Sequence, residues 1–180
     1  FTIGMRFHSA PVVRLADAKP VQLGHAARAD GAWRLYAFAD ASGRRLRELM
    51  AFLADSPASP IRRFTPAGAE VDIDSVIDVR AVFQQGHLEL KVEELPAILL
   101  PRKGCFGLID YEKAYCPDLR NGPDIFDLRG IDRAQGAMVV VRPDQYVSNV
   151  LALDAHDALA AFFGRFLLDR LPAGPARHPA

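Results

Sequence analysis

Residues 136–153, GAMVVVRPDQYVSNVLAL, constrain the fold of this chain more than any other stretch. An apolar run from Ala137 to Val141 stops at Arg142-Pro143-Asp144-Gln145, and a second run follows from Tyr146 to Leu151. Pro143 at the second turn position and Asp144 at the third suit a type I turn, because proline presets the φ that position needs. The stretch therefore predicts a β-hairpin whose first strand is buried on both faces. LDAHDALAAFFGRFLLDRL comes next, with Leu159, Phe163, Phe166 and Leu167 at i, i+4, i+7 and i+8. That spacing makes one helical stripe. Asp154 is the expected N-cap, and Asp157 favours the positive helix end. A doubly buried hairpin closed by an amphipathic helix calls for a sheet with helices packed on it.

Other segments fill in the layers. APVVRLADAKPVQL reads as an N-terminal hairpin turning at Ala16–Lys19, with Pro20 starting its second strand. Asp30-Gly31 signals a turn into a central strand, Trp33 to Ala39. Leu46, Leu49, Met50 and Leu53 form a helical stripe, with Ser42 as a cap and an end before Pro57. DSPASPIRRFTPAGAE reads as loop. DSVIDVRAVF alternates, with Ile77, Val79, Ala81 and Phe83 on one face and Asp78 and Arg80 on the other. VEELPAILLP allows a short helix at best. Residues 102–132, rich in Gly and Pro, predict a long irregular excursion with a helical turn near Ile125–Leu128. The expected class is α/β, a mixed sheet with helices on both faces. No internal repeat is present.

Little in the chain announces chemistry. Its 180 residues suit one domain, and the half that are hydrophobic suffice for a core. Twenty-two basic residues balance twenty-two acidic ones, which leaves no electrostatic footprint for nucleic acid or an anionic membrane. No apolar run approaches the ~20 residues of a membrane helix. No Gly-rich dinucleotide turn, phosphate loop, zinc-protease helix or nucleophile elbow occurs. His8, His25, His87, His156 and His178 share no metal-ligand spacing with a cysteine. Cys105 and Cys116 are too far apart for a C-x-x-C site, read as free thiols, and suit a reducing cytoplasm. Glu93-Glu94 and Asp72/Asp74 read as solvated acids. Phe162, Phe163 and Phe166 read as core at helical spacing. The opening FTIGMRFHSAP lacks both an initiator Met and a signal pattern, so the chain is expected to be a piece of a longer protein.

The layout resembles the thioredoxin superfamily, its peroxiredoxin branch in particular. The carriers are APVVRLADAKPVQL, GAWRLYAFAD and GAMVVVRPDQYVSNVL. A peroxiredoxin has a Pro-Thr-Cys constellation after its first central strand; here FADASGRRLREL stands instead, so the thiol chemistry is gone. A closer resemblance joins RFHSAPVVRLADAKPVQLGH, LPRKGCFGLIDYEKAYCPD, FDLRGIDRAQGAMVVVRPDQYVSNVL and the closing Phe-rich helix. From Arg6 to Leu168 the chain is similar to the C-terminal domain of FAD-dependent aromatic hydroxylases of the phenol 2-monooxygenase and 3-hydroxybenzoate 4-monooxygenase group.

That resemblance implies a thioredoxin-like domain without thiols, associated with dimerisation. It implies no catalytic, cofactor-binding or metal-binding residue in this chain; FAD, NAD(P)H and the aromatic substrate belong to preceding domains. Residues 1–10 become a segment leading from those domains, 11–170 the thioredoxin-like domain, and 171–180 a flexible tail. The expected partners are the flavin-binding and substrate domains of the same polypeptide and a second copy in a cytoplasmic homodimer. Neither nucleic acid nor membrane is expected. Aromatic side chains in the excursion supply the candidate interface, Phe106, Ile109, Tyr111, Tyr115 and Phe126, with Ile125 beside them. Arg142, Asp144 and Tyr146 join them as turn residues able to touch the flavin-bearing domain. Two other functions stay open on the residues alone: a free-standing thioredoxin-like redox protein, and a small-molecule binding module using the Phe-lined helix.

Overall fold

In the computed structural model, which describes residues 1–68, 71–120 and 122–169, the predicted hairpin is one edge of a larger sheet. The strands are β1 (Pro11–Arg14), β2 (Lys19–Gln22), β3 (Trp33–Phe38), β4 (Ile77–Val82), β5 (Arg102–Lys103), β6 (Leu108–Ile109), β7 (Ala114–Pro117), β8 (Ala137–Val141) and β9 (Val147–Leu151). The helices are α1 (Arg44–Asp55), α2 (Pro60–Phe64), α3 (Ile125–Arg129) and α4 (His156–Gly164). Seven strands run in the order β2-β1-β7-β4-β3-β8-β9, and β5 and β6 pair separately as a small arm. β4 is parallel to both β3 and β7, while the remaining pairs of the large sheet are antiparallel.

Alternation along the central strands sorts side chains into two cores. Leu35 and Ala37 of β3 and Val79 and Ala81 of β4 face α1, α2 and α4, meeting Leu46, Leu49, Met50, Leu53, Ile61, Phe64, Leu159 and Phe163. Tyr36 and Phe38 face the other way, toward Val82, Tyr115, Val139, Val141, Phe7 and the α3 residues Ile125 and Phe126. Helices thus cover both faces, and the class is α/β as expected.

Local signals account for most elements. The α1 stripe is buried, at about 1.5–3 kcal/mol per large apolar side chain, and the helix ends before Pro57. Its N-cap is Gly43, with Ser42 Oγ accepting from the Arg44 amide at 3.2 Å. The Arg142–Gln145 turn closes through the Gln145 amide donating to the Arg142 carbonyl at 2.9 Å. Gln145 has φ 68°, the left-handed residue that follows such a turn, so β9 starts at Val147. Residues 1–10 are packed: the Gly4 amide donates to the Val147 carbonyl, the Phe7 amide to the Gln145 carbonyl, and Phe7 stacks on Tyr36. The tail expected at 171–180 lies outside the described residues.

Several expectations are corrected. The excursion contains β7, buried throughout and inserted between β1 and β4, where Val13 faces Cys116 and Val82 faces Tyr115. Its sequence AYCP has no alternation long enough to announce a strand. Pro60 opens α2 in a stretch read as loop, because proline at the first helical position loses no hydrogen bond. Only short 3₁₀ turns form at Val92–Glu94 and Ala97–Leu99. Ala155, not Asp154, is the N-cap of α4, and Asp154 instead accepts through its carbonyl from the His156 amide. Phe166 lies beyond α4, half-exposed and stacked on Trp33 at 5.0 Å.

Gly136 is where the fold tolerates least. At φ 66°, a Cβ there would stand 2.4 Å from the Phe38 carbonyl oxygen, 2.6 Å from Leu153 Cδ1 and 2.8 Å from the Asp40 amide nitrogen. Gly31 shares the sign of φ but has open space around its Cβ position. Gly136→Ala is expected to lose about 2–5 kcal/mol, strain plus a backbone clash. Gly31→Ala should lose only the strain, about 1–2 kcal/mol. Urea unfolding of both variants measures the difference.

Candidate interface and charged cleft

The C-terminal end of β3 is packed and leads into Asp40. Asp40 is buried there; its carboxylate accepts from the Ser42 hydroxyl at 2.5 Å and from the Leu46 amide at 3.2 Å. Burial opposes ionisation of Asp40, but these hydrogen bonds outweigh it and hold the carboxyl below its ordinary value. Gln84 donates to the Ala39 and Arg133 carbonyls at 2.8 and 2.7 Å, tying β3 to the loop before β8. Cys116 lies in the middle of the sheet, and burial pushes its thiol up to about 12. It is a protonated core side chain at neutral pH, not a nucleophile. Cys105 is exposed between β5 and β6.

At the opposite end, where β3, β4 and β7 begin, the sheet carries charge. Asp78 and Arg80, on the polar face of β4, are buried, as are Arg34 of β3 and Lys113 just before β7. Arg80 Nε donates to Asp78 at 2.8 Å and its other arm reaches the Tyr115 hydroxyl at 2.6 Å. Arg34 lies 3.1 Å from Asp78 and 2.7 Å from Asp30. Lys113, only 2 % exposed, binds Asp78 and Asp74 and stands 3.4 Å from Asp110. Asp74, read as solvated, receives Lys103 as well at 2.9 Å. Burial opposes its charge, yet the hydrogen bonds from Lys113 and Lys103 prevail and keep its carboxyl below 3.8. Around this network opens a cleft of about 910 Å³, rimmed by Arg14, Asp17, Arg28, Asp30 and Glu112 and walled on one side by the arm.

The arm carries part of the predicted interface. Phe106 is 85 % exposed and Tyr111 45 %, while Ile109 is half-buried. Leu108, 69 % exposed, is an interface candidate that sequence reasoning missed; its signal is its place between Gly104 and Gly107 turns and a charged strand base. Tyr115 and Phe126 are fully buried, so their assignment to an interface is withdrawn; Ile125 is buried with them. Tyr115 belongs to β7, and Phe126 packs edge-on against Phe38. Arg142 and Asp144 are exposed and paired at 2.5 Å, and Tyr146 is exposed beside them, bridged to Arg6. Because Val141 pairs with Arg34, this turn shares the cleft end of the sheet. The exposed candidates therefore gather at one end, and Asp40 lies at the other.

Solved structures define the class first. The thioredoxin domain of a thiol-disulfide oxidoreductase from Bacteroides vulgatus superposes with a TM-score of 0.54, at 12% identity, covering 93% of this chain and 99% of that one. A putative protein disulfide isomerase from Bacteroides thetaiotaomicron does so with a TM-score of 0.54, at 14% identity, over 92% of this chain and 90% of the other. The fold is thioredoxin-like. The family model for the phenol hydroxylase C-terminal dimerisation domain matches residues 1–171, and the chain belongs to that family. A 3-hydroxybenzoate 4-monooxygenase from Comamonas testosteroni is 60% identical over 173 residues, covering 93% of this chain and 27% of the relative. The FAD-dependent monooxygenase terD of Aspergillus terreus is 38% identical over 173 residues, covering 92% of this chain and 28% of the relative. The chain thus spans little more than a quarter of the length of these relatives. Among the described residues no helix is long and apolar enough to cross a membrane.

Two outcomes follow from the charge network. Lys113→Met leaves Asp74 and Asp78 buried without their ammonium, and is expected to lose about 3–5 kcal/mol in urea unfolding. Asp74 and Asp110 both have carboxyls lowered from 3.8, so their stabilisation is complete above that value and lost as pH falls through the lowered folded values. The melting temperature should therefore fall as pH drops below about 4, and less steeply in Asp74→Asn.

Proposed function

We propose that this chain is the non-catalytic C-terminal dimerisation domain of a flavin-dependent aromatic-ring hydroxylase. The carrying observation is the family match across residues 1–171, joined to 60% identity with a 3-hydroxybenzoate 4-monooxygenase. On this reading FAD and NAD(P)H are held by preceding domains of a cytoplasmic enzyme acting on a phenol or hydroxybenzoate. This chain contacts those domains and pairs with a second copy. The arm is the contact: Phe106, Leu108 and Tyr111 are large, exposed and grouped, and aromatics of this kind anchor interface cores. Arg142, Asp144 and Tyr146 flank it at the same end of the sheet and meet the flavin-bearing domain. A redox role is less well supported, because Cys116 is buried, Cys105 stands alone on the arm, and Asp40 rather than a thiol follows β3.

Two experiments test the reading. Purified chain should be colourless and take up no FAD, since it lacks a Gly-rich strand-to-helix turn for a pyrophosphate; a stoichiometric flavin spectrum would defeat it. Sedimentation equilibrium should give a firm dimer for the full-length enzyme and a weaker, concentration-dependent one for the chain alone, since a stable interface buries about 800 Å² per partner. Phe106→Ser with Tyr111→Ser should raise the dissociation constant tenfold or more without unfolding, as both side chains are exposed. Phe126 is left unaltered because it is core. An unchanged dimer would remove the arm as the contact, and a monomeric full-length enzyme would remove the dimerisation role.

A further inference from the structure

The arm is held to the body by charge. Within it, Arg102 pairs with Ile109 and Lys103 with Leu108, and the Gly107 amide closes the tip onto the Gly104 carbonyl. A two-stranded ribbon of that length has no independent stability in water. Phe106 and Leu108 are exposed and only Ile109 of the arm's apolar side chains is half-buried, so apolar packing holds it little. Its ties to the body are polar. The Gly104 amide donates to Asp72 at 2.7 Å, and Lys103 Nζ to Asp74 at 2.9 Å. At the base, Asp110 faces Lys113 at 3.4 Å and Lys103 at 3.5 Å. Asp74 is itself fixed from below by buried Lys113, which is fixed in turn by Asp78 of the central strand β4. A chain of alternating charges therefore runs from the sheet to the arm: Asp78, Lys113, Asp74, Lys103.

We infer that Asp72, Asp74 and Lys103 form an electrostatic latch that sets the direction of the arm, with Lys113 as its anchor in the sheet. The inference rests on the reading of the arm as the contact with a second copy of this chain. A free ribbon would lose conformational freedom on docking, and that loss subtracts from affinity; a latched ribbon has already lost it. The latch residues are positioning residues, and the contact itself is made by Phe106, Leu108 and Tyr111.

The test separates the latch from the contact. Lys103→Met removes the arm's half of the ion pair and leaves the Lys113–Asp74–Asp78 cluster intact. Asp72→Ala removes the acceptor of the Gly104 amide. Hydrogen exchange is followed at amides 102–110 and, as reference, in β7, at a dilution where the chain is monomeric. The double variant should exchange about tenfold faster or more in the arm, with β7 unchanged. Its dimer dissociation constant should rise about tenfold. Lys103→Arg, which keeps the charge, should restore both readouts toward the unaltered chain, which a merely space-filling role for Lys103 would not require. Unchanged arm exchange in the double variant overturns the latch. Faster arm exchange with an unchanged dimer, repeated in the Phe106/Tyr111 variant, keeps the latch and overturns the arm as the dimer contact.

Discussion

Lys113 is the interaction on which the rest of this structure depends. An ammonium group 2 % exposed is tolerable only if its charge is met on the spot, and here Asp74, Asp78 and Asp110 meet it. Asp78 in turn holds Arg34 and Arg80, so one carboxylate of β4 ties the starts of β3, β4 and β7 together. Tyr36 and Tyr115 close the layer beneath; burial, partly offset by Arg80, pushes the Tyr36 phenol up to about 12, so it stays neutral. Hydrophobic residues of equal volume would hold the strands together as well or better. What the ions add is direction, since a buried charge has few places where it is satisfied. They fix which strand starts where, and they reach out to orient a ribbon that has no core of its own.

The two ends of the sheet have divided their tasks. At the C-terminal end of β3, Gly136 lies against the Phe38 carbonyl and the Asp40 amide, and Asp40 uses its carboxylate on Ser42 and the start of α1. At the other end a cleft stays open, and beside it stand the arm and the Arg142–Gln145 turn. On the proposed reading the arm end of the sheet serves for contacts, while Asp40 and Gly136 pack the other end of β3.

How much of this was legible follows from what each signal measures. The β8–β9 hairpin, α1 and the body of α4 were readable because periodicity and turn chemistry are local and the tertiary structure agrees with them. β7 was not, because the four residues AYCP form a strand through partners at Val13 and Val82 that no local pattern shows. The burial of Asp78 and Arg80 was not legible for a sharper reason: alternation of apolar and charged residues is the same whether the charged face meets water or meets other buried charges. Asp74 failed in the same way. The interface candidates divide along one line. Phe106, Tyr111, Arg142, Asp144 and Tyr146 lie on turns or next to them and are exposed, whereas Tyr115 lies on β7, a strand the excursion was not expected to hold, and Phe126 lies on the inward side of the helical turn that was expected. Missing β7 and misplacing Tyr115 are therefore a single error.

Exposure of the arm carries its own argument. Phe106 and Leu108 stand more than two-thirds in water. Large aromatics typically bury ~150–250 Å² each when covered, so leaving Phe106, Leu108 and Tyr111 together in water invites non-specific association. A loop kept only to join β4 to β7 would be shorter and more polar, as connecting segments generally are. The charges that orient the ribbon point the same way: the outer pair, Lys103 with Asp74, is partly exposed, and an exposed pair contributes about 0–1 kcal/mol, so its position matters more than its strength. Taken together, an apolar tip and a charged root make sense as parts of one device. On the proposed reading the root aims the tip, and a second copy of the chain covers it.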